Sequence, residues 1–303
     1  MVKKKIIDPN LKNKSKTVKD KIQFFDFKGK AYPLPTEIEI SESGTCNRKC
    51  SFCPRSSPNF EDKKEFISNE LHKKLCEELK EINYIGTIRY SGFVEPMLDK
   101  NIYNLINMVR ENLPNSNIEI VTNGDPLNFE RLNKLFDSGL NKILISAYDG
   151  KEQADKLEEL CKKAKLSNKQ YIVRHRYYSA EKDFGIALSN RSGLMENAEY
   201  KIDSLKEPLK NPCYIPSYTF FLDYQGDVLM CPHDWGKKVI LGNLNNENFL
   251  DIWFSKESMK NRKSLNNSNR NFTPCNVCDV EGTLMGKKNA SYFNSDEKNT
   301  NFR

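Results

Sequence analysis

Nine cysteines are distributed unevenly over 303 residues, and their placement restricts the fold more than any other feature. Cys46, Cys50 and Cys53 fall within eight residues, with Pro54 directly after them. Cys213, Cys231, Cys275 and Cys278 form a looser set in the carboxy-terminal third. No stretch approaches the roughly 18 apolar residues of a membrane helix. The amino terminus lacks a signal peptide's apolar core, because Ile6 and Ile7 run straight into Asp8 and Pro9. The chain is therefore expected in the cytoplasm without a membrane partner. Thiols stay reduced there, so clustered cysteines read first as metal ligands rather than disulfides.

Periodicity supplies the scaffold around them. Residues 36–41 alternate as a short strand that runs directly into the first cysteine loop. Residues 68–82 place Leu71, Leu75, Leu79 and Ile82 on one helical face. Strand patterns follow at 87–91, 118–121, 142–146, 171–176 and 184–188. Helical patterns lie between them at 100–112, 128–138 and 151–165, and Gly139 is a natural stop for the second. Strands alternating with helices of this length predict an α/β class with a parallel sheet, in about six βα repeats between 36 and 205. Beyond 206, Pro208, Pro212 and Pro216 break the pattern. A hairpin is expected there, from 219–223 through Gln225-Gly226-Asp227 to 228–231, and then a short helix near 247–255.

Charge adds an exclusion. The net +7 resides in the ends: residues 1–20 carry +5 and residues 286–303 carry +2, leaving the body neutral. That distribution predicts no nucleic-acid footprint on the folded body. It also predicts a solvated basic arm over 1–35 and, with the Asn/Lys/Ser-rich end, a disordered tail over 286–303.

Three thiolates on one loop can hold three irons of a [4Fe–4S] cube and leave the fourth open. A structural zinc wants four ligands, and no fourth Cys or His is close in sequence, although a zinc knuckle or plain thiols remain readings of the spacing alone. The Cys-x3-Cys-x2-Cys spacing after a first strand resembles the signature of the radical S-adenosylmethionine superfamily. Ser91-Gly92-Phe93-Val94-Glu95-Pro96 resembles that family's Gly-Gly-Glu-Pro segment, with Val94 in place of a glycine, and Thr122-Asn123-Gly124 follows the next strand as in relatives. The resemblance implies a partial TIM-type (β/α)6 barrel over 36–205. It implies S-adenosylmethionine (AdoMet) contacts at Ser91, Gly92, Glu95, Asn123, Ser146 and Arg174. It further implies that AdoMet chelates the open iron, is cleaved by one electron, and yields a 5′-deoxyadenosyl radical that abstracts hydrogen from an unactivated carbon.

Cys213, Cys231, Cys275 and Cys278 would fully ligate one cluster or, equally, one zinc. A Cys…Gly-x4-Cys hairpin followed by Cys-x2-Cys behind such a barrel resembles the shortened SPASM module, the twitch domain, expected here over 206–285. The resemblance implies one auxiliary [4Fe–4S] cluster, two clusters in all. A fully ligated cluster suits electron transfer, as in aminocyclitol dehydrogenases of this type.

The expected activity is oxidation or epimerisation of a small polyhydroxylated substrate, a sugar or cyclitol, with a one-electron reductant such as flavodoxin or ferredoxin. A peptide- or protein-modifying enzyme is the second reading, and a non-catalytic zinc scaffold a distant third. Arg191, in the loop after the sixth expected strand, is the candidate catalytic residue, contacting substrate or assisting proton transfer. Cys76 and Cys161 fall on apolar helix faces and read as packing. His175 reads as structural and His233 as a neighbour of the auxiliary site.

Overall fold

The computed structural model describes residues 9–57, 60–177, 189–195 and 205–294. Helix α1 (Pro9–Asp20) leads to a hairpin of β1 (Phe24–Phe27) and β2 (Lys30–Pro33). Strand β3 (Glu37–Ser41) precedes the cysteine loop, which is flanked by a two-stranded ribbon of β4 (Ser43–Gly44) and β5 (Lys63–Phe66). Then α2 (Asn69–Glu81), β6 (Thr87–Tyr90), α3 (Ile102–Asn112), β7 (Asn117–Thr122), α4 (Phe129–Asp137), β8 (Lys142–Ala147), α5 (Lys151–Lys163) and β9 (Tyr171–His175) alternate. The carboxy-terminal part contains β10 (Thr219–Asp223), β11 (Asp227–Leu229), β12 (Ile240–Asn243), α6 (Phe249–Trp253), α7 (Lys256–Asn266) and α8 (Lys287–Asn294).

One eight-stranded sheet takes the order β12-β11-β10-β3-β6-β7-β8-β9. The six strands from β10 to β9 are parallel, the partial barrel, and β11 and β12 extend it antiparallel. Five barrel strands match the periodicity, whereas the sixth, expected at 184–188, lies outside the described residues. The strand actually seen beyond β3 is β10, expected only as an arm of a separate hairpin. Phe220 and Leu222 pack with Ile38 and Ile40 in one core, which seats β10 against β3. The boundary expected at 205/206 therefore divides the chain but not the sheet.

Local chemistry explains the regular elements. Ser68 caps α2 by accepting from Leu71 N at 3.1 Å, and Asn128 caps α4 by accepting from Arg131 N at 2.8 Å. Gly139, at φ +107°, ends the turn after α4, where a side chain would strike Arg110. Leu71, Leu75 and Leu79 are buried, each contributing about 1.5–3 kcal/mol by leaving water. Cys76 and Cys161 sit in the same core, and burial pushes both thiols up to about 12, so they are inert packing.

Inside the barrel, β3 turns its polar residues inward. Arg89 pairs with Glu37 Oε2 at 3.0 Å and Glu119 Oε2 at 2.7 Å, and Lys14 of α1 also reaches Glu37.

Two expectations about the ends are corrected. From Pro9 on, the basic arm is a helix and a hairpin, and residues 1–8 lie outside the described residues: Val18 is buried with Cys213, Tyr218 and Met230, and Lys14 finds an acidic partner that fixes α1. Of the expected tail, Lys287–Asn294 form α8, where Phe293 packs on Tyr32 and edge-on to Trp253, and residues 295–303 lie outside the described residues. Aromatic burial outweighs the polar composition of that segment. Among the described residues no helix is long and apolar enough to cross a membrane.

Candidate functional site: two cysteine centres and the chamber between them

The first cysteine loop leaves β4 and is fastened at both ends. Its tight turns bond Cys53 N to Cys50 O and Ser56 N to Cys53 O, both at 2.9 Å. Arg48 forks across to the ends of β7 and β8, donating to Asp125 Oδ2 at 2.6 Å and Asp149 Oδ1 at 2.7 Å. Buried Arg55 donates to Phe93 O and Gly44 O at 3.0 Å and pairs with Asp62. Cys46, Cys50 and Cys53 are half-buried free thiols. Burial pushes all three pKa values up, Cys50 to about 11, and the neighbouring thiols add to its shift. Gathering three such groups favours a cationic occupant that stabilises the thiolates.

The Ser91–Pro96 segment passes beneath this loop. Gly92 has φ +94°, and a Cβ there would meet the Phe221 ring at 2.9 Å, so only glycine fits. Ser91 Oγ donates to Glu39 Oε1 at 2.5 Å. Glu95, an expected AdoMet contact, also binds the chain itself. It accepts from Asn123 N at 2.6 Å, Thr122 Oγ1 at 2.6 Å and Met97 N at 3.0 Å. Burial nevertheless raises its pKa to about 7, against those hydrogen bonds. Asn123 in turn donates to Asn47 Oδ1 at 2.7 Å, its Nδ2 being 4.0 Å from Cys46 Sγ. Ser146 and Arg174 are register neighbours on β8 and β9, and Arg174 Nη1 donates to Ser146 Oγ at 3.3 Å.

Cys213, Cys231, Cys275 and Cys278 line one cavity, together with Ile215, Met230, Leu265 and Val280. Burial raises all four thiol pKa values, and the thiols reinforce one another at Cys231. Gly282, at φ +69°, allows the thiol its place, since a Cβ there would lie 2.3 Å from Cys213 Sγ. Among the described residues no three His, Cys, Asp or Glu side chains are arranged for a single metal ion. Four thiols lining one cavity supply a complete ligand set for a cubane cluster or for one zinc.

Between the centres lies Arg191. It begins a turn in which Arg191, Ser192 and Gly193 all have positive φ, at 46°, 54° and 82°. Such backbone costs about 1–3 kcal/mol per non-glycine residue and persists only where its surroundings impose it. Asn190 imposes it here: its N donates to Asp279 Oδ2 at 2.8 Å and its Nδ2 to Val277 O at 2.6 Å. The guanidinium sits 5.9 Å from the Trp235 ring centre, and Trp235 packs on Phe93. Arg191 Nε, His233 Nδ1 and Asp279 Oδ1 are all buried without a hydrogen-bond partner among the described residues. Trp235 and Asp279 carry no spacing signal, and only their adjacency to Cys231 and Cys278 hinted at them. His175, by contrast, bonds Tyr177 Oη at 3.0 Å.

Comparison with known proteins agrees with this layout. Residues 40–182 match the Radical SAM superfamily, and residues 213–279 match the SPASM iron–sulfur cluster-binding domain. The chain is 28% identical over 233 residues to an S-adenosyl-L-methionine-dependent 2-deoxy-scyllo-inosamine dehydrogenase of Niallia circulans, covering 77% of this chain and 88% of that one. The crystal structure of BtrN in complex with AdoMet and 2-DOIA superposes with a TM-score of 0.70 at 26% identity, covering 84% of this chain and 98% of BtrN. Native anSMEcpe with bound AdoMet has a similar fold, at TM-score 0.54 and 14% identity over 85% of this chain and 95% of that one.

Proposed function

The chain belongs to the radical S-adenosylmethionine superfamily, with a SPASM domain behind its partial barrel, and from that premise we propose that it dehydrogenates a small polyhydroxylated ring of the aminocyclitol type. The observation that carries this reading is the set of unpaired buried atoms, Arg191 Nε, His233 Nδ1 and Asp279 Oδ1. Buried polar groups usually find partners, and these three, beside the cysteine centres, offer places for a ligand's groups. A ring bearing hydroxyl or amino groups offers both donors and acceptors to such a trio, and the Trp235 and Phe93 rings offer an apolar wall.

In this reading Cys46, Cys50 and Cys53 hold the first cluster, and Ser91, Gly92, Asn123, Ser146 and Arg174 receive AdoMet. Glu95 also holds Thr122 and Asn123 in place beside that site. Cys213, Cys231, Cys275 and Cys278 hold the auxiliary cluster. When bound, these groups supply one-electron chemistry that removes hydrogen from an unactivated carbon and accepts the electron left behind. The chain's own residues hold the substrate. Arg191 donates Nε–H to a ring oxygen, Asp279 Oδ1 accepts from a hydroxyl or amine, and the Phe93–Trp235 wall excludes water. A one-electron reductant such as flavodoxin or ferredoxin would complete the cycle.

The test is anaerobic reconstitution followed by incubation with AdoMet and 2-deoxy-scyllo-inosamine, other aminocyclitols or free cyclitols. A ketone product with matched 5′-deoxyadenosine release is expected. Solvent deuterium at a substrate carbon without net oxidation would instead indicate epimerisation.

A further inference from the structure

Arg270 is almost wholly buried beside the four-thiol cavity, and among the described residues it is the one charged side chain lining that cavity. Its guanidinium is fixed from two sides. Nε donates to Asn211 O at 2.9 Å and Nη2 to Pro212 O at 3.0 Å, on the segment that leads into Cys213. Nη1 donates to Val280 O at 2.8 Å and Nη2 to Glu281 O at 2.6 Å, on the segment that leaves Cys278. One planar fork thus ties together two cysteine-bearing strands of chain 65 positions apart in sequence (213 to 278). Carbonyl oxygens, not carboxylates, fill its donors, so its positive charge is not cancelled within the clamp.

We propose that Arg270 is a positioning residue of the auxiliary site, holding the Cys213 and Cys278 segments at cluster spacing and presenting a fixed positive charge that makes the site a better electron acceptor. An arriving electron adds negative charge to an already anionic group of thiolates, and a nearby immobile cation in an apolar cavity offsets that change. Arg270 and the four thiols line the same cavity, so its charge acts on whatever those thiols hold. Lysine keeps the charge but cannot span four carbonyls, because its ammonium is a point donor rather than a fork.

The inference rests on the reading that Cys213, Cys231, Cys275 and Cys278 hold a cluster, and the experiment separates the two. In a parent protein with Cys46, Cys50 and Cys53 replaced by alanine, only the auxiliary cluster can form. Its iron and sulfide content and its midpoint potential, by EPR-monitored titration, are compared with those of Arg270→Lys and Arg270→Gln. We expect R270K to lose iron to a chelator faster while keeping a midpoint close to the parent's. R270Q should also lose iron faster and have a more negative midpoint. An R270Q protein that holds its full cluster at the parent's midpoint overturns the proposal. If R270Q retains no cluster, R270K decides: an unmoved midpoint supports the proposal and a shift as far negative as charge loss would give overturns it. A parent without any iron–sulfur cluster would instead reject the underlying reading and leave Arg270 a purely structural brace.

Discussion

The carboxylate of Glu95 accepts the backbone N–H of Asn123 at 2.6 Å, joining the segment after β6 to the end of β7 directly under the first cysteine loop. Its proton affinity makes this joint sensitive to pH. Glu95 has a folded pKa near 7 against an ordinary value of 4.5, because burial disfavours its charge. An acid raised in this way holds its proton longer in the folded state, so stability falls as pH rises from 4.5 to about 7 and is level above that. The total is about 3 kcal/mol. Glu95→Gln imitates the protonated form and should flatten this slope, whereas Glu95→Ala leaves three donors unpaired and should destabilise at every pH. Thermal melting from about pH 5 to pH 8 checks both, and an unchanged slope in E95Q refutes the assignment.

Lys14 and Glu37 should couple the amino-terminal helix to the barrel. Lys14→Met leaves Glu37 with Arg89 alone, and a cost of about 1–3 kcal/mol at neutral pH is expected. Arg89 and Lys14 hold the Glu37 pKa below 4.5 despite burial. The contribution is therefore present above that value and disappears as pH falls through the lower folded pKa. Chemical denaturation of K14M and parent at neutral and acid pH measures it; equal differences at both would count against the pair.

Gly282→Ala should empty only the auxiliary site. The added methyl would sit 2.3 Å from Cys213 Sγ on a backbone with φ +69°. Iron should fall from about eight to about four per chain. The EPR signal that survives should be the one abolished by replacing Cys46, Cys50 and Cys53. Retention of the full iron complement would show that the loop can move aside.

Arg191 should be felt in substrate handling rather than in assembly. Arg191→Ala removes a charge-assisted hydrogen bond worth about 1.5–3 kcal/mol, or about 10–150-fold in kcat/KM, with iron content unchanged. Steady-state kinetics on an accepted aminocyclitol test this. A variant that loses iron and activity together would assign Arg191 to the architecture of the junction.

How far the sequence speaks depends on the range over which each feature is decided. Helices α2 and α4 are legible because their caps Ser68 and Asn128 and their apolar stripes are local. The cysteine sets are legible because ligand chemistry allows few residue types. The pairing of β10 with β3 is not legible, since nothing within Thr219–Asp223 distinguishes a hairpin arm from a barrel strand. Helix α1 is hidden by its lysines, whose key partner Glu37 is 23 residues from Lys14. Helix α7 has little apolar stripe, and Arg262 secures it by donating to Pro216 O at 2.8 Å and Trp253 O at 2.6 Å. The hydrogen bonds of Glu95 to Met97, Thr122 and Asn123 are hidden for a related reason: a motif names a carboxylate, but only the fold shows which backbone and hydroxyl groups it holds.

Strand β10 is shared property. It continues the barrel sheet on one side and begins the cysteine-bearing hairpin on the other. The two centres are consequently mounted on one sheet, and their separation is set by strand spacing instead of by a hinge. Cutting the chain ahead of residue 219 would strip β3 of its neighbour and leave a raw, sticky edge, so neither portion is a freestanding part that can be borrowed without the other.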